Sequence, residues 1–117
     1  MRHVDPQRNA QDAKPLTEPV LLILLSLSSQ PLHGYAIIQD IERLSDGRVK
    51  ISTGTLFGAL HRLLEKRWIV PFEQEDTSRD KQAYRLTASG RKRLQMELDR
   101  MRQLTRAGAA RLRKAIT

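Results

Sequence analysis

Hydrophobic residues in the first half of the chain recur every three or four positions in three segments, a spacing that predicts three α-helices. The first segment follows Thr17, which can cap a helix, and Pro19, which is tolerated in a first turn. Its apolar residues are so dense that we expect most of this helix to be buried. A buried strand is the alternative for residues 20–25, and residues 28–31 end the segment.

The next two segments predict a pair of helices separated by a short extended piece at residues 48–51. The earlier helix is expected to start near residues 32–35 and to stop at residues 45–47, where Gly47 suits the left-handed conformation of a helix end. Its apolar face consists of Ile37, Ile38, Ile41 and Leu44. The later helix can be capped by Ser52 or Thr53. Its inner stripe consists of Leu56, Leu60, Leu63 and Leu64.

The hydrophobic period then shortens to two, which predicts β-strands. Residues 68–73 alternate between two faces, and Pro71 within them indicates an edge strand. Residues 74–81 are polar and predict a hairpin tip, from which residues 82–86 return as a second strand. The order of helix, helix, short strand, helix and two-stranded wing predicts a winged helix-turn-helix, a mainly α fold with a small β-wing.

Residues 87–117 predict one long helix in which apolar and small residues alternate at spacings of four and three, as in the seam of a coiled coil. We expect dimerisation through this seam, whose members are Leu94, Leu98, Met101, Thr105, Gly108, Leu112 and Ala115. Gly108 would admit another helix or mark a kink. The chain thus divides into an arm at residues 1–14, expected to be disordered, a winged helix-turn-helix at 15–86 and a dimerisation helix at 87–117.

Composition narrows the function classes. Of the 117 residues, 39% are hydrophobic and only 4% aromatic, so the core must be built from aliphatic side chains. The absence of cysteine excludes disulfides and thiolate metal sites and agrees with a cytoplasmic location. No run approaches the ~18 apolar residues of a membrane span, and residues 1–14 lack the apolar stretch of a signal peptide. We therefore expect no membrane partner.

The charge is strongly basic, with 21 Lys and Arg against 13 Asp and Glu and a net charge of +8. Such a surplus favours a polyanionic partner, nucleic acid before membrane. Residues 87–117 contain nine basic and two acidic residues, so the surplus lies mostly in the predicted dimerisation helix. That helix surface could be simply solvated, could add phosphate contacts, or could meet an acidic surface. The overall charge is therefore no evidence that residues 15–86 bind DNA.

Three motifs follow in order along the predicted domain: PLHGY at residues 31–35, STGTLFGALHRL at 52–63 and YRLTASG at 84–90. Together they resemble the PadR family of bacterial regulators over residues 16–94. The resemblance implies a winged-helix, DNA-binding homodimer whose C-terminal helices dimerise. Many members act as repressors that release DNA when a small molecule binds. The short C-terminus, with one helix only, resembles the smaller subgroup of the family.

In a winged helix, the N-terminal half of the third helix enters the major groove. The residues expected to contact double-stranded DNA are Tyr35, Ser52, Thr53, Gly54, Thr55, Phe57, Gly58, His61, Arg62, Lys66, Arg79 and Lys81. Gly54 and Gly58 would let the backbone approach base edges, and Arg62 would bind a phosphate or a base. The alternative is an ordinary solvated helix face. Phe57 stands where the family usually has tyrosine, which removes a hydroxyl that could reach a phosphate.

Several of these residues have a second interpretation. Tyr35 could pack on the third helix instead of touching the DNA backbone. Arg79 and Lys81 could belong to a solvated turn that Asp76 and Asp80 neutralise. We interpret His33 as a local cap or as a packing partner for the turn before Gly34. We interpret Trp68 as a core aromatic rather than a platform for a ligand. His3 and His61 lie far apart, so we expect no metal site and no cofactor.

The sequence predicts a PadR-like transcriptional regulator, a repressor that binds palindromic operator DNA as a homodimer. The alternative is a winged helix that binds proteins and has only non-specific affinity for DNA. An enzyme is not expected, because no nucleophile with a base, no carboxylate pair and no phosphate-binding loop is recognisable. A small apolar effector, between the dimer helices or beneath the first helix, stays open because no residue pattern selects one.

Overall fold

The computed structural model describes residues 14–73 and 82–116, so the hairpin tip and nearly all of the expected arm lie outside the described residues. Within them, helices and strands alternate along the chain. In order, they are α1 (Glu18–Ser26), β1 (Leu32–His33), α2 (Gly34–Leu44), α3 (Thr53–Glu65), β2 (Ile69–Phe72), β3 (Ala83–Leu86) and α4 (Ala88–Ile116). The first predicted segment is therefore a helix, and the alternative of a buried strand is wrong.

The helices begin at the caps that the sequence predicts. The Thr17 hydroxyl accepts a hydrogen bond from the Val20 amide at 3.4 Å, and the His33 imidazole accepts one from the Ala36 amide at 3.3 Å. At the end of α2, Gly47 has a φ of +78°, as the stop signal indicates. Because each cap satisfies an amide that has no partner inside its helix, these residues set where each helix starts.

The position of the short strand is a correction. Residues 48–51 form no strand; instead the Val49 amide donates to the Ser45 hydroxyl at 2.9 Å, so it is bonded to the end of α2. The short strand is β1, before α2, where Leu32 pairs with Tyr84 of β3. A two-residue strand is too short to show a period, so only its partner strand reveals it.

The sheet is antiparallel in the order β1–β3–β2, which leaves β2 at an edge as Pro71 predicts. Ile69 lies opposite Leu86 and Phe72 opposite Ala83. Pro71 is exposed, so its missing amide proton costs the sheet no buried hydrogen bond. The strand β2 follows α3 directly in the chain and packs against it.

The core joins the inner faces of α1, α2 and α3 to the sheet. Its fully buried large side chains are Ile23, Leu24, Leu27, Ile37, Ile41, Leu56, Leu60, Leu63 and Ile69. Leu44 was expected on the inner face but is 49% exposed. It is the last residue of α2, and the contribution of α2 to the core ends with Ile41. Of the predicted leucine stripe of α3, Leu56, Leu60 and Leu63 are buried and Leu64 is partly buried, so the opposite side of α3 faces solvent.

The first turn of α4 is locked against the start of β2. Arg67 has a φ of +61°, and its carbonyl accepts hydrogen bonds from the hydroxyls of Thr87 at 2.7 Å and Ser89 at 3.1 Å. A Cβ on Gly90 would lie only 2.0 Å from the Trp68 carbonyl oxygen. Only glycine permits this approach, so Gly90 determines how α4 leaves the domain.

Candidate nucleic-acid interface

The exposed side of α3 brings together most of the residues predicted to contact DNA. Leu56, Ala59, Leu60 and Leu63 are buried. The exposed residues are Thr53, Gly54, Thr55, Phe57, His61 and Arg62, with Ser52 and Lys66 at the two ends and half-buried Gly58 between them. A single helix face therefore carries nine of the predicted positions, and the buried stripe fixes which way that face points.

The amide end of α3 is held by Ser52. Its hydroxyl accepts from the Thr55 amide at 3.2 Å and donates to the Thr55 hydroxyl at 3.0 Å. The cap keeps the first turn regular at an exposed surface. Because the N-terminus of a helix carries a partial positive charge, this end of α3 suits a phosphate group.

Two glycines leave the outer surface of α3 open. A Cβ on Gly54 would meet nothing within 4 Å, and one on Gly58 would meet only the Arg62 Nη1 atom at 3.7 Å. Neither glycine is therefore required by packing inside the chain. Both reduce helix stability relative to alanine, so a close approach from outside is what they permit.

Phe57 lies between these glycines and contacts α2. Its ring is 48% exposed, and its Cζ atom lies 3.0 Å from where a Cβ on Gly34 would stand. Gly34 thus makes room for the ring at the first turn of α2. Tyr35, the residue after Gly34, is 67% exposed, so its side chain is available for contact from outside the chain.

The C-terminal half of α3 borders a cavity of about 280 Å³ beneath α1. Arg62 and Lys66 line it together with apolar residues that include Leu16, Val20 and Trp68. The Lys66 Nζ atom lies 5.0 Å from the centre of the Trp68 ring, within range of a cation–π interaction. Trp68 is partly buried and packs against the core, which agrees with its interpretation as a core aromatic.

A buried charge cluster ties the segment before α1 to α4, and the sequence analysis missed it. Glu97 accepts hydrogen bonds from the Leu16 amide at 3.0 Å and from Arg100 at 2.8 and 3.0 Å. Arg93, also buried, lies 3.9 Å from Glu97 and donates to the Lys14 carbonyl. The pKa of Glu97 is lowered, chiefly by its hydrogen bond with Arg100. Burial acts in the opposite direction, but the Leu16 amide and the charges of Arg100 and Arg93 lower the pKa further. The spacing of Arg93 and Glu97, four residues apart on one helix, was the sequence feature that could have indicated this cluster.

The predicted seam of α4 divides into two parts. Leu94 is buried in the core and Leu98 packs against it, so both already have partners within the chain. Met101, Thr105, Gly108 and Leu112 are exposed, and Leu112 is 69% exposed. Leu104, which the seam omitted, is an exposed apolar neighbour. Dimerisation through the exposed part stays a prediction.

The remaining predictions concern the wing tip, metal binding and membrane spans. Arg79 and Lys81 of the wing tip lie outside them. His61 lies 3.5 Å from Glu65, and residues 14–73 and 82–116 contain no group of three potential metal ligands. In the same ranges, no helix combines the length and apolar character that a membrane crossing requires.

Comparison with known proteins identifies relatives of this chain. The model of the transcriptional regulator PadR-like family matches residues 23–96. A curated relative, an uncharacterized 37.1 kDa protein in transposon TN4556 of Streptomyces fradiae, is 39% identical over 85 residues. That alignment covers 73% of this chain but only 23% of the relative, so the chain spans about a quarter of that protein's length.

Solved structures share the fold. A PadR family transcription regulator from Clostridium difficile matches with a TM-score of 0.68 and 21% identity, over 82% of this chain and 99% of that one. A transcriptional regulator from Clostridium thermocellum matches with a TM-score of 0.65 and 24% identity, over 78% of this chain and 89% of that one. Bacillus subtilis PadR, solved in complex with operator DNA, matches with a TM-score of 0.59 and 24% identity. The match covers 68% of this chain and 45% of that one.

Proposed function

The chain belongs to the transcriptional regulator PadR-like family, and from this premise we propose that it binds operator DNA through the exposed face of α3. The observation that carries the proposal is the composition of that face. It joins a capped helix N-terminus, two glycines that packing inside the chain does not require and an exposed arginine. The operator complex of the structurally similar Bacillus subtilis PadR supports the same use of the fold.

Each part of the surface has a role in the proposal. The N-terminal turns of α3 enter the major groove, where Gly54 and Gly58 let the helix backbone come close to the base edges. Arg62, one turn further on, binds a phosphate or a guanine. Ser52, Thr53 and Thr55 bind phosphate at the helix N-terminus, and Tyr35 adds a contact from α2. Lys66, with Arg79 and Lys81 of the wing, would extend the phosphate contacts.

The exposed half of the α4 seam supports a homodimer as part of the proposal. Met101, Leu104 and Leu112 are apolar side chains on a helix that has left the core, and a second copy would bury them. Two copies related by a two-fold axis read a palindromic operator whose half-sites lie about 34–36 Å apart. Such a dimer acts in the cytoplasm and represses by occupying the promoter.

Release by a small molecule would use the cavity beneath α1. The cavity contacts both α3 and the buried Arg93 of α4, so an occupant would touch the DNA-reading helix and the dimerisation helix together. Its apolar side chains suit a small apolar effector. Two of the four cations that line it, Arg62 and Lys66, are also proposed to bind DNA. Effector binding and DNA binding would therefore oppose each other.

The proposal is tested by titrating the purified chain with its own promoter region and with scrambled DNA at several salt concentrations. We expect selective binding that weakens steeply with salt. Arg62→Ala should weaken it by about 1–3 kcal/mol, so about fivefold is the least we expect. Arg43→Ala is the matched control, because it removes the same charge from an exposed site on α2.

The opposite outcome also has a clear meaning. Equal affinity for the promoter and for scrambled DNA, unchanged by Arg62→Ala, would refute sequence-specific reading by α3. It would leave charge attraction from α4 as the source of binding. The exposed aromatic residues Tyr35 and Phe57 would then favour the alternative, a winged helix that binds proteins.

A further inference from the structure

The first two turns of α3 lack the side chains that read bases through paired hydrogen bonds. Arg and Lys recognise guanine in this way, Asn and Gln recognise adenine, and Asp and Glu accept from cytosine. Residues 52–60 contain none of these six types. The Ser52 hydroxyl is already both acceptor and donor within the helix cap. If this part of α3 distinguishes bases, it must do so mainly by apolar contact.

Phe57 is the one large side chain that this stretch exposes. Its neighbours on the outer face, Gly54 and Gly58, have no side chain, so the ring is the most prominent feature of the surface. The Cζ and Cε1 atoms lie 3.0 and 3.5 Å from where a Cβ on Gly34 would stand, so the first turn of α2 supports the ring. A supported ring loses little conformational freedom when it binds, which favours its use in recognition.

The major groove presents one apolar group, the C5-methyl group of thymine, and phenylalanine is among the residues that contact it. We propose that Phe57 selects thymine in each operator half-site by packing its ring against this methyl group. The inference rests on the proposed function, since it requires α3 to lie in the major groove. Arg62 and His61, one turn further along α3, supply charge for affinity, while Phe57 supplies selectivity.

The test replaces thymidine by deoxyuridine in the half-sites of the operator that footprinting defines on the promoter. Deoxyuridine keeps every hydrogen-bonding group of thymidine and lacks only the methyl group. We expect the wild-type chain to bind the deoxyuridine operator about fourfold more weakly for each contacted methyl group, the value of one buried methylene. Phe57→Ala should bind both operators equally. Leu44→Ala, which truncates a side chain of the same exposure (49% against 48%), should keep the wild-type preference.

Three results would overturn the inference. Equal wild-type affinity for both operators, with binding still selective over scrambled DNA, refutes it and leaves the proposed function standing. A loss on deoxyuridine that is the same in Phe57→Ala refutes it too, because the methyl group then acts on DNA shape or on another residue. Absence of any selectivity refutes the proposed function and this inference together. The wild-type comparison needs no variant, so a folding defect in Phe57→Ala cannot hide the first result.

Discussion

At the scale of single residues, glycines lie next to bulky groups at two places in the domain. Gly34 makes room for the ring of Phe57, and Gly90 makes room for the Trp68 carbonyl. Gly54, in contrast, has open space above it, and a Cβ on Gly58 would meet only the flexible end of Arg62. Glycine is therefore needed for internal packing at two positions and leaves the surface accessible at two others. Only the surroundings of each glycine show which of the two applies.

The charge cluster on α4 predicts a pH-dependent stability. The pKa of Glu97 is lowered, first by its hydrogen bond with Arg100, so its carboxylate binds a proton less readily in the folded than in the unfolded chain. Its contribution to stability is therefore complete above the unfolded value of about 4.3 and is lost as the pH falls through the lower folded value. We expect Glu97→Gln to be less stable at pH 7 and this difference to shrink below about pH 4.

Chemical denaturation of both proteins between pH 3 and pH 7 checks this expectation. Glu42→Gln is the control, because its ion pair with Lys50 is exposed and such pairs contribute little. A stability difference for Glu97→Gln that stays constant over this pH range would contradict the assigned role of the charge.

At the scale of elements, the junction between β2 and α4 links the wing to the long helix. Thr87 caps α4 by accepting from the Gly90 amide at 3.0 Å, and the Thr87 amide donates to the Trp68 carbonyl at 3.0 Å. The wing strand and the first turn of α4 therefore share hydrogen bonds as well as a close backbone contact. A change at this junction should affect the whole domain.

Gly90→Ala should destabilise the chain by about 3 kcal/mol, the upper end of the usual cost of overpacking, because the contact is with backbone that cannot rotate away. Gly54→Ala, also in the first turns of a helix but with open space around it, should be neutral or raise stability by up to about 1 kcal/mol. Urea unfolding at equilibrium measures both. Equal stabilities for the two variants would mean that the approach of α4 to Trp68 is looser than described.

At the scale of the whole molecule, α4 extends beyond the domain that it closes. Its first turns are buried through Leu94 and Glu97, whereas the residues from Met101 onwards are nearly all exposed. Most of the stability of a helix in a protein comes from packing of its apolar face, so a partner that covers these apolar residues would stabilise this part of α4. The surplus of basic charge lies on this same helix, and it would repel a second copy wherever the two approach.

The dimer prediction is tested by placing a charge in the exposed seam. Met101→Glu should raise the dissociation constant of the dimer at least tenfold, which corresponds to about 1.4 kcal/mol, because the carboxylate would be buried against the partner. Met96→Glu is the matched control, since Met96 is similarly exposed on α4 (45% against 40%) but lies outside the seam. Sedimentation equilibrium measures both. An equal effect of the two variants would exclude the seam as the interface.

The sequence by itself determined the features that depend on neighbours along the chain. Thr17, His33 and Ser52 cap their helices, the leucines of α3 form its buried stripe, and Pro71 marks an edge strand, because each acts on residues at most four positions away or on its own backbone. The outer face of α3 followed directly, since burying one side of a helix exposes the other. The candidate site was therefore largely predictable.

Only the tertiary structure decided the features that join distant segments. The pairing of Leu32 with Tyr84, the bond from Leu16 to Glu97 and the burial of Leu94 in the core each connect residues that the chain order does not relate. No local pattern carries such contacts, because they arise from how helices pack once several elements are in place. For the same reason the seam of α4 looked continuous in sequence, although its first two residues are already covered by the domain itself.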